Sequence, residues 1–547
     1  MTNVLQGNVI EEVGSFLKGE YASSIAVCKG WYNVMDVSPE KYFSDHVCDI
    51  DTLHKALQNG FPPNRVCRSI ASAGNFCLLL WVTKYDKKSK HPCPWDCPLD
   101  KESCANAAKG GYIECLRWLH MIDCPWDQTT CANAAKGGHL ECLQFAHENG
   151  CLWDENTSHA AAEGGHMDCL EWVLNRGCLD YTACYGAARG GHLEILDCLI
   201  SNGCTVTNTY DGAAEGGHLH ILKWAHENDI PVDGMPAFSA ASKGKYDCLQ
   251  WVLENMKDVE VKSGFSAMMG KKLCLAAVYG GDLNCLKLAY ENGFSLFGHE
   301  LCSVAAEDGR LDMIKWLRGK GCRWDERTCA AAAKGGHSEL LMWLKDNDCP
   351  WDAKTCAGAA EGGNLKIIIW ARENGCPWDD KACAGAAEGG YLKILIWLRE
   401  KDCPWDNKTH SNAAKGGYLN ILKWIHKKEC PVSYTAIHSA VEGGHVECVE
   451  WELCNTFTSL KKVGYMGTEC CNTAAEAGYL KILKMLRGGG FPWDEKTCYY
   501  AADEGNVECV LWAIKNGCPI DVDNIADCSD NGLEMMEEIM VCIDLRK

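Results

Sequence analysis

The chain has 547 residues, of which 47% are hydrophobic and 23% are charged, a balance typical of proteins that bury an apolar core in water. Its formal net charge of −21 repels phosphate backbones, so we expect no nucleic-acid partner held by charge. The start of the sequence has no basic head followed by an apolar run, and no apolar stretch reaches about 18 residues. These features argue against a secretory signal and a membrane span, and they predict a cytoplasmic protein, with the nucleus as the alternative compartment.

Residues 1–46 do not follow the period of the rest of the chain and read as two or three short helices with apolar faces. The segment Val27-Cys28-Lys29-Gly30-Trp31 resembles the F-box, although Leu5-Gln6-Gly7 stands where that family usually has Leu-Pro. The resemblance implies docking on a Skp-type adaptor of a cullin ubiquitin ligase. The alternative is a helical cap that shields the first repeat, which repeat proteins need for solubility. The residues that would form the motif's core or its adaptor-binding face are Ile10, Val13, Phe16, Leu17, Val27 and Trp31.

From residue 47 onward the chain is built from a short repeat of roughly sixteen copies, marked by Gly-Gly pairs that mostly recur every 27 residues. In residues 349–379 we expect Asp352 to cap a first short helix, which Gly362-Gly363 ends because glycine tolerates left-handed backbone. A second helix follows, with apolar residues at helical spacing from Leu365 to Ala371, and Gly375 ends it. Helices this short are not stable alone in water, so each copy must pack on its neighbours.

The run from Thr130 to Gly150 closely resembles the ankyrin repeat. Ala134-Ala135 match its alanine pair, Gly138-His139 its Gly-His, and Cys142-Leu143 the apolar pair of its second helix. Lys-Thr-Cys-Ala or a variant replaces the usual Thr-Pro-Leu-His, and the period is about six residues short of 33. The resemblance, which extends to ankyrin families of protists and giant DNA viruses, implies an all-α ankyrin-like solenoid over residues 47–547 with shortened or missing β-hairpins.

The period lengthens in three places, near residues 83–92, 256–273 and 455–467, and each insertion carries a Lys-Lys pair. Long insertions in repeat arrays usually form surface loops and often contact partners. Partner contact and neutral insertion are equally compatible with these sequences. We therefore expect loops at these three places without assigning them a function.

The cysteines, tryptophans and histidines recur with the repeat, and this register favours an architectural role over chemistry. The 38 cysteines form neither a short secreted framework nor organised Cys-x-x-Cys pairs, so we interpret them as small buried apolar residues. Tyrosine or asparagine replaces the Gly-His histidine in several repeats, which a metal site would not tolerate. The Trp of Cys-Pro-Trp-Asp should cover the seam between repeats. We find no catalytic motif, and we expect no enzyme activity, metal or cofactor.

Charge varies between repeats at the position after the Ala-Ala pair, near the end of the first helix. In the ankyrin fold this position borders the concave face, where a solenoid binds other proteins. A changing charge there can encode a protein partner, or it can be a solvated rim. The candidate partner-binding residues are Lys109, Lys136, Glu163, Arg189, Glu215, Lys334, Glu361, Glu388, Lys415 and Glu442.

The leading hypothesis is a non-enzymatic substrate receptor. Residues 1–46 would recruit the ligase adaptor, and the solenoid would hold a protein target beside the ligase, which raises the local concentration of that target. The rival hypothesis is a scaffold or sequestering protein in which residues 1–46 act only as a cap. The sequence does not name the target.

Overall fold

The computed structural model describes residues 66–83, 99–154, 156–178, 181–256, 266–296, 300–433, 435–456 and 467–521. Within these ranges the regular elements are all α-helices, and they form sixteen consecutive pairs, which confirms the all-α helical-repeat prediction. The F-box-like residues 1–46 lie outside the described residues. The chain divides into two compact units, Met1–Phe294 and Ser295–Lys547, which are described separately.

Each pair consists of a first and a second helix, eight pairs in each unit as far as the structure describes them. In unit 1 the pairs are Val66–Ser72 with Phe76–Thr83, Lys101–Lys109 with Ile113–Met121, Gln128–Lys136 with Leu140–Glu148, Asn156–Gly164 with Met167–Leu174, Ala183–Gly190 with Leu193–Ser201, Thr209–Gly216 with Leu219–Glu227, Pro236–Ser242 with Tyr246–Asn255, and Ser266–Gly280 with Leu283–Glu291. In unit 2 they are Glu300–Glu307 with Leu311–Gly319, Glu326–Lys334 with Ser338–Asp346, Ala353–Glu361 with Leu365–Glu373, Asp380–Glu388 with Leu392–Glu400, Asn407–Lys415 with Leu419–Lys427, Ala436–Glu442 with Val446–Asn455, Glu469–Glu476 with Leu480–Gly488, and Glu495–Asp503 with Val507–Lys515.

The first helices pack directly on the first helices of neighbouring repeats within each unit. In the helix Ala353–Glu361 the predicted cap is present, because the Lys354 amide donates to the Asp352 carboxylate at 2.9 Å. Small residues allow the close approach: Cα of Gly358 lies so near the previous helix that an added Cβ would come within 2.5 Å of the Ala330 carbonyl oxygen. The alanine-rich composition of this helix is therefore a packing requirement.

The second helix packs mainly on its own first helix through one apolar stripe. In Leu365–Glu373 the side chains of Ile367, Ile368 and Ala371 are buried, whereas Leu365, expected in the same stripe, is only half-buried. The helix ends as predicted at Gly375, whose φ of +82° lies in the left-handed region that glycine tolerates.

In the Cys-Pro-Trp-Asp segments that the structure describes, the tryptophan covers the seam to the next repeat, as predicted. The ring centroid of Trp378 lies 6.1 Å from that of Trp397 on the following second helix, in an edge-to-face arrangement. The guanidinium of Arg372 lies 4.2 Å from the centre of the Trp378 ring. The cation over the indole was not anticipated from the sequence, although a basic residue stands six positions before the tryptophan in several repeats.

In the described repeats the histidine of the Gly-His pair lies at the turn before the second helix, and His337 and His445 satisfy a backbone group of the preceding repeat there. The Nε2 atom of His337 lies 2.8 Å from the carbonyl oxygen of Glu307, the last residue of the preceding first helix. The Asn364 amide donates to the equivalent carbonyl of Lys334 at 3.1 Å. Because the last carbonyls of a helix lack internal partners, this side chain caps its neighbour's first helix. The predicted structural role is confirmed.

The cysteines of the described ranges are mostly buried, and none of them forms a disulfide, which agrees with their predicted role as small apolar residues. The Cys376 thiol also donates to the carbonyl oxygen of Asp352 at 3.3 Å. The part of the chain that the structure describes contains no group of three or more His, Cys, Asp or Glu side chains that could hold a metal ion.

One predicted loop is shorter than expected. The helix Ser266–Gly280 begins inside the insertion 256–273, so its residues from 266 onward are helical. Alanine, methionine, lysine and leucine all favour a helix, and this local preference outweighed the loss of the repeat period. In the other two insertions, residues 84–92 and 457–466 lie outside the described residues. No helix among the described residues is long and apolar enough to cross a bilayer.

Replacing Gly362 by alanine is expected to destabilise the fold by about 2–3 kcal/mol, because an added Cβ would overlap the Lys334 carbonyl oxygen of the neighbouring helix. Gly319→Ala is the matched control. No heavy atom lies within 4 Å of a Cβ at that position, so we expect it to be neutral or slightly stabilising. Urea unfolding followed by circular dichroism measures both variants, and equal effects would contradict the packing argument.

Candidate functional site

The ten candidate partner-binding residues all lie at the end of a first helix, as predicted. Each is the last or next-to-last residue of its helix and stands just before, or one residue before, the turn. The position therefore repeats along each unit with side chains that differ in charge. The ten residues are Lys109, Lys136, Glu163, Arg189, Glu215, Lys334, Glu361, Glu388, Lys415 and Glu442.

In unit 1 these charges form a continuous chain of ion pairs, which we call the rim ladder: Lys136, Glu163, Arg189, Glu215 and Lys243. The Lys136 ammonium lies 2.7 Å from Glu163. The guanidinium of Arg189 lies 3.5 Å from Glu163 and 3.4 Å from Glu215, and Lys243 closes the ladder 3.3 Å from Glu215. Lys243 is not among the residues predicted from the sequence, because Ser242 occupies the rim register there and the lysine follows one residue later.

Unit 2 pairs its rim charges in the same way but over shorter stretches. The Lys334 ammonium lies 3.5 Å from Glu307 and 2.9 Å from Glu361. Lys415 lies 3.9 Å from Glu442. The carboxylate of Glu388 accepts a hydrogen bond of 3.1 Å from the Asn412 amide.

Many of these rim pairs are partly exposed, and ion pairs of that kind contribute only about 0–1 kcal/mol each. Such pairs can exchange one charged partner for another at little energetic cost. The arrangement therefore keeps the rim soluble and ordered while leaving its charges accessible to a second protein.

A second position of interest on the first helices is the residue directly after the first-helix cysteine, such as Cys131 or Cys356. We call the position of that cysteine the cysteine register. In regular repeats the residue after it is alanine, as at Ala132 and Ala357, but four successive repeats of unit 1 carry larger side chains there. We call these four side chains and the rim ladder together the central face. A comparable run in unit 2 is Ser411, His438, Asn472 and Tyr499. The four residues of unit 1 are His159, Tyr185, Asp211 and Phe238.

Contacts between repeats hold His159, Tyr185 and Asp211, and Tyr185 bonds directly to the ladder. The His159 and Tyr185 rings are stacked with centroids 5.9 Å apart. The Tyr185 hydroxyl donates to the Glu215 carboxylate, and His159 Nδ1 lies 3.0 Å from the Thr182 carbonyl oxygen. Asp211 accepts the Met235 amide at 3.0 Å. These polar side chains are thus held by hydrogen bonds within the chain before any partner binds.

The protonation chemistry of the central face follows from these contacts. Burial acts to raise the pKa of Glu215, but the Tyr185 hydrogen bond and the charges of Arg189 and Lys243 outweigh it, so this pKa is lowered. Burial and the Glu215 hydrogen bond together raise the pKa of Tyr185 to about 12. Burial raises the pKa of Asp211. At neutral pH the face therefore presents a fixed phenol donor, paired carboxylates and basic groups, which suits recognition of polar side chains.

A buried titratable pair in the core of unit 2 was also missed by the sequence analysis. His410 stands at the register of Cys329, Cys356 and Cys383, and Glu452 stands at the register of Leu398 and Ile425. His410 Nε2 lies 2.9 Å from Glu452 Oε1, and both side chains are almost completely buried. The signal was present in the sequence, since Glu452 interrupts an otherwise apolar register and His410 interrupts one that is mostly cysteine.

The hydrogen bonds around this pair are complete. The Ser433 amide donates to His410 Nδ1 at 2.9 Å, so the hydrogen on Nε2 is the one that bridges to Glu452. Thr456 bonds to the second carboxyl oxygen of Glu452 through its hydroxyl. The two departures from the repeat are therefore a matched internal pair and not a surface for a partner.

Comparison with known proteins gives one family match. Residues 132–210 match the model described as ankyrin repeats in three copies. No curated protein matches the chain.

Two solved structures of the maize pentatricopeptide repeat protein PPR10 are similar over most of the chain. One is 14% identical and covers 93% of this chain and 86% of that chain, with a TM-score of 0.27. The other, in complex with an 18-nucleotide RNA element, is 12% identical and covers 92% and 90%, with a TM-score of 0.25. Scores this low carry no argument about ligands, and the expectation that this chain binds no nucleic acid, drawn from its charge alone, stays a prediction. The family comparison identifies ankyrin repeats in residues 132–210, which include His159, Glu163, Tyr185 and Arg189 of the central face.

Proposed function

We propose that this chain is a non-enzymatic scaffold that holds a protein target on the central face of unit 1 and presents it to a cullin-type ubiquitin ligase through residues 1–46. The ankyrin repeats of residues 132–210 support a protein partner. The F-box-like segment that ends at Trp31 supports the adaptor role through sequence resemblance alone.

The central face carries this proposal because its ion pairs connect five successive repeats, from Lys136 to Lys243. Tyr185, Arg189 and Glu215 come from two neighbouring first helices and meet in one network. A partner that binds there meets donors and acceptors whose orientation is already determined, so little conformational entropy is lost on binding. Alanine at the equivalent positions of regular repeats offers no such groups.

Replacing Tyr185 and Arg189 together by alanine is expected to reduce recovery of the target at least tenfold in affinity capture from the native cell. Under this proposal both side chains contact the target, and truncation of two such contacts at an interface accounts for an effect of about 1.4 kcal/mol or more. The matched control is Lys354→Ala with Glu326→Ala, which removes a partly exposed ion pair of unit 2 that contains none of the ten candidate residues. Equal recovery by both variants and the wild type would place the target elsewhere.

Deletion of residues 1–46 tests the ligase role separately. With purified Skp-type adaptor and cullin, we expect the full-length chain to retain both proteins and the deletion variant to lose them, while target capture is unchanged. Trp31→Ala is the finer probe of the same motif. If full-length and deleted chains recover adaptor and cullin equally poorly while the target still binds, the chain is a scaffold in which residues 1–46 act only as a cap.

A further inference from the structure

Eight repeats share a pair of cysteines that the architecture of the fold does not by itself require. One member lies in the first helix, and the other lies 20 residues later, directly after the second helix of the same repeat. Both members are buried. The pairs are Cys104 with Cys124, Cys131 with Cys151, Cys184 with Cys204, Cys302 with Cys322, Cys329 with Cys349, Cys356 with Cys376, Cys383 with Cys403, and Cys498 with Cys518.

The two thiols of a pair are in direct contact. The Sγ atoms of Cys302 and Cys322 lie 3.8 Å apart, and both residues are almost inaccessible to solvent. A disulfide requires a sulfur–sulfur distance of about 2.05 Å. The second cysteine lies at the start of a connecting segment and not inside a helix. Its backbone amide donates to the end of the second helix, at 3.0 Å from Cys322 to the Leu317 carbonyl oxygen, so the remaining distance must close mainly by rotation of the two side chains.

The two sulfurs of the pair differ in acidity, and this difference assigns their roles. The Cys302 thiol donates a hydrogen bond to Cys322, which lowers the pKa of Cys322, and the nearby Arg318 charge acts in the same direction against the effect of burial. The same hydrogen bond and burial raise the pKa of Cys302. Because the thiolate is the nucleophile in cysteine oxidation, Cys322 is the sulfur that reacts first.

We propose that these cysteine pairs are sites of reversible disulfide formation within single repeats, with a hydroperoxide as the oxidant. The Cys322 thiolate attacks the terminal peroxide oxygen, the O–O bond breaks, and a sulfenic acid forms as hydroxide takes up a proton to leave as water. The Cys302 sulfur then attacks the sulfenic sulfur, its proton leaves with the hydroxyl group as a second water, and the S–S bond forms. Two thiols and one molecule of hydrogen peroxide thus give one disulfide and two molecules of water.

The disulfide ties the start of the connecting segment to the first helix of its own repeat. The second helix lies between the two cysteines, so the cross-link closes a loop around it and opposes local unfolding of that repeat. Since neighbouring repeats stabilise one another, oxidation of several pairs makes the array more rigid. The pairs add a redox response that is independent of the proposed ligase role.

The test uses the full-length reduced protein, treated with hydrogen peroxide while circular dichroism confirms that it stays folded. Remaining thiols are then alkylated in denaturant, and the digested peptides are analysed by mass spectrometry. We expect peptides linked between cysteines 20 residues apart, with Cys302–Cys322 among them, the loss of two hydrogens per link, and a higher unfolding temperature that dithiothreitol reverses.

Cys302→Ala is the matched variant, since Ala237 occupies the same register in another repeat. It should lose the link to Cys322 while the other seven pairs still form. Cys430, whose register partner is His410, serves as an internal comparison and should form no link within its repeat. Thiols that remain unreacted in the folded protein, links between different repeats, or conversion only to sulfinic and sulfonic acids would overturn the proposal.

Discussion

Replacing Glu452 by alanine is expected to lower the free energy of unfolding by about 3–5 kcal/mol, because it leaves the His410 Nε2 hydrogen without a partner in the core. The Thr456 hydroxyl loses its contact with the same carboxyl group. A cavity at a completely buried position adds to the loss. Hydrogen exchange of the helices Asn407–Lys415 and Val446–Asn455, together with urea unfolding of the full chain, measures the effect.

The matched control restores the repeat at both positions. His410→Cys with Glu452→Leu replaces the polar pair by the residues found at these registers in neighbouring repeats, such as Cys383 and Leu398. We expect this double variant to be neutral or more stable than the wild type by about 1–4 kcal/mol, because a well-packed apolar pair avoids the desolvation of polar groups. If the changes in the free energy of unfolding caused by His410→Cys alone and Glu452→Leu alone add up to the change in the double variant, the two residues are not coupled.

Raising the pH above about 9 is expected to unfold the protein through its buried thiols. Burial raises the pKa of several of these thiols above the ordinary value of 9.0, to about 11 for Cys142, Cys169, Cys248, Cys448 and Cys509. The folded state therefore keeps protons that the unfolded chain releases. Their stabilising effect is fully present below pH 9 and is lost as the pH rises through 11. Each pKa unit corresponds to about 1.4 kcal/mol per thiol, so several thiols together outweigh a typical folding free energy of about 5–15 kcal/mol.

The measurement is a titration from pH 7 to 12 in oxygen-free buffer, with circular dichroism for the helices and absorbance near 240 nm for thiolates. Both signals should change together. Cys142→Val with Cys169→Val should move the midpoint to higher pH, because two of the ionisable thiols are removed. Valine should fit at both positions, since apolar Ile195 and Ile367 occupy this register in other repeats. Thiolates that form near pH 9 while the helices remain intact would contradict the prediction.

Much of the fold follows from short-range features of the sequence. The Asp352 cap, the turn at Gly363 and the stop at Gly375 are each explained by backbone requirements within a few residues. The repeated tryptophan and histidine registers also predicted their packing and capping roles. Such features can be predicted from the sequence because every repeat has the same capping, turn and packing requirements and meets them with the same residue types.

The candidate site was only partly predictable. The sequence located the rim at the ends of the first helices, but it treated Glu163, Arg189 and Glu215 as separate charges, whereas the structure pairs them across repeats. Lys243 was missed because a one-residue shift in register changes which side chain reaches the ladder. Whether the rim charges bind a partner stays a prediction.

The sequence by itself determined the period, the two-helix repeat and the buried registers, because these depend on helical spacing and backbone conformation within 27 residues. Only the tertiary structure decided which side chains meet between repeats. His410 and Glu452 are 42 residues apart in the chain and yet bond at 2.9 Å, and Cys302 meets Cys322 across the second helix that separates them. The relative position of neighbouring helices sets such contacts, and no local pattern in the chain specifies it.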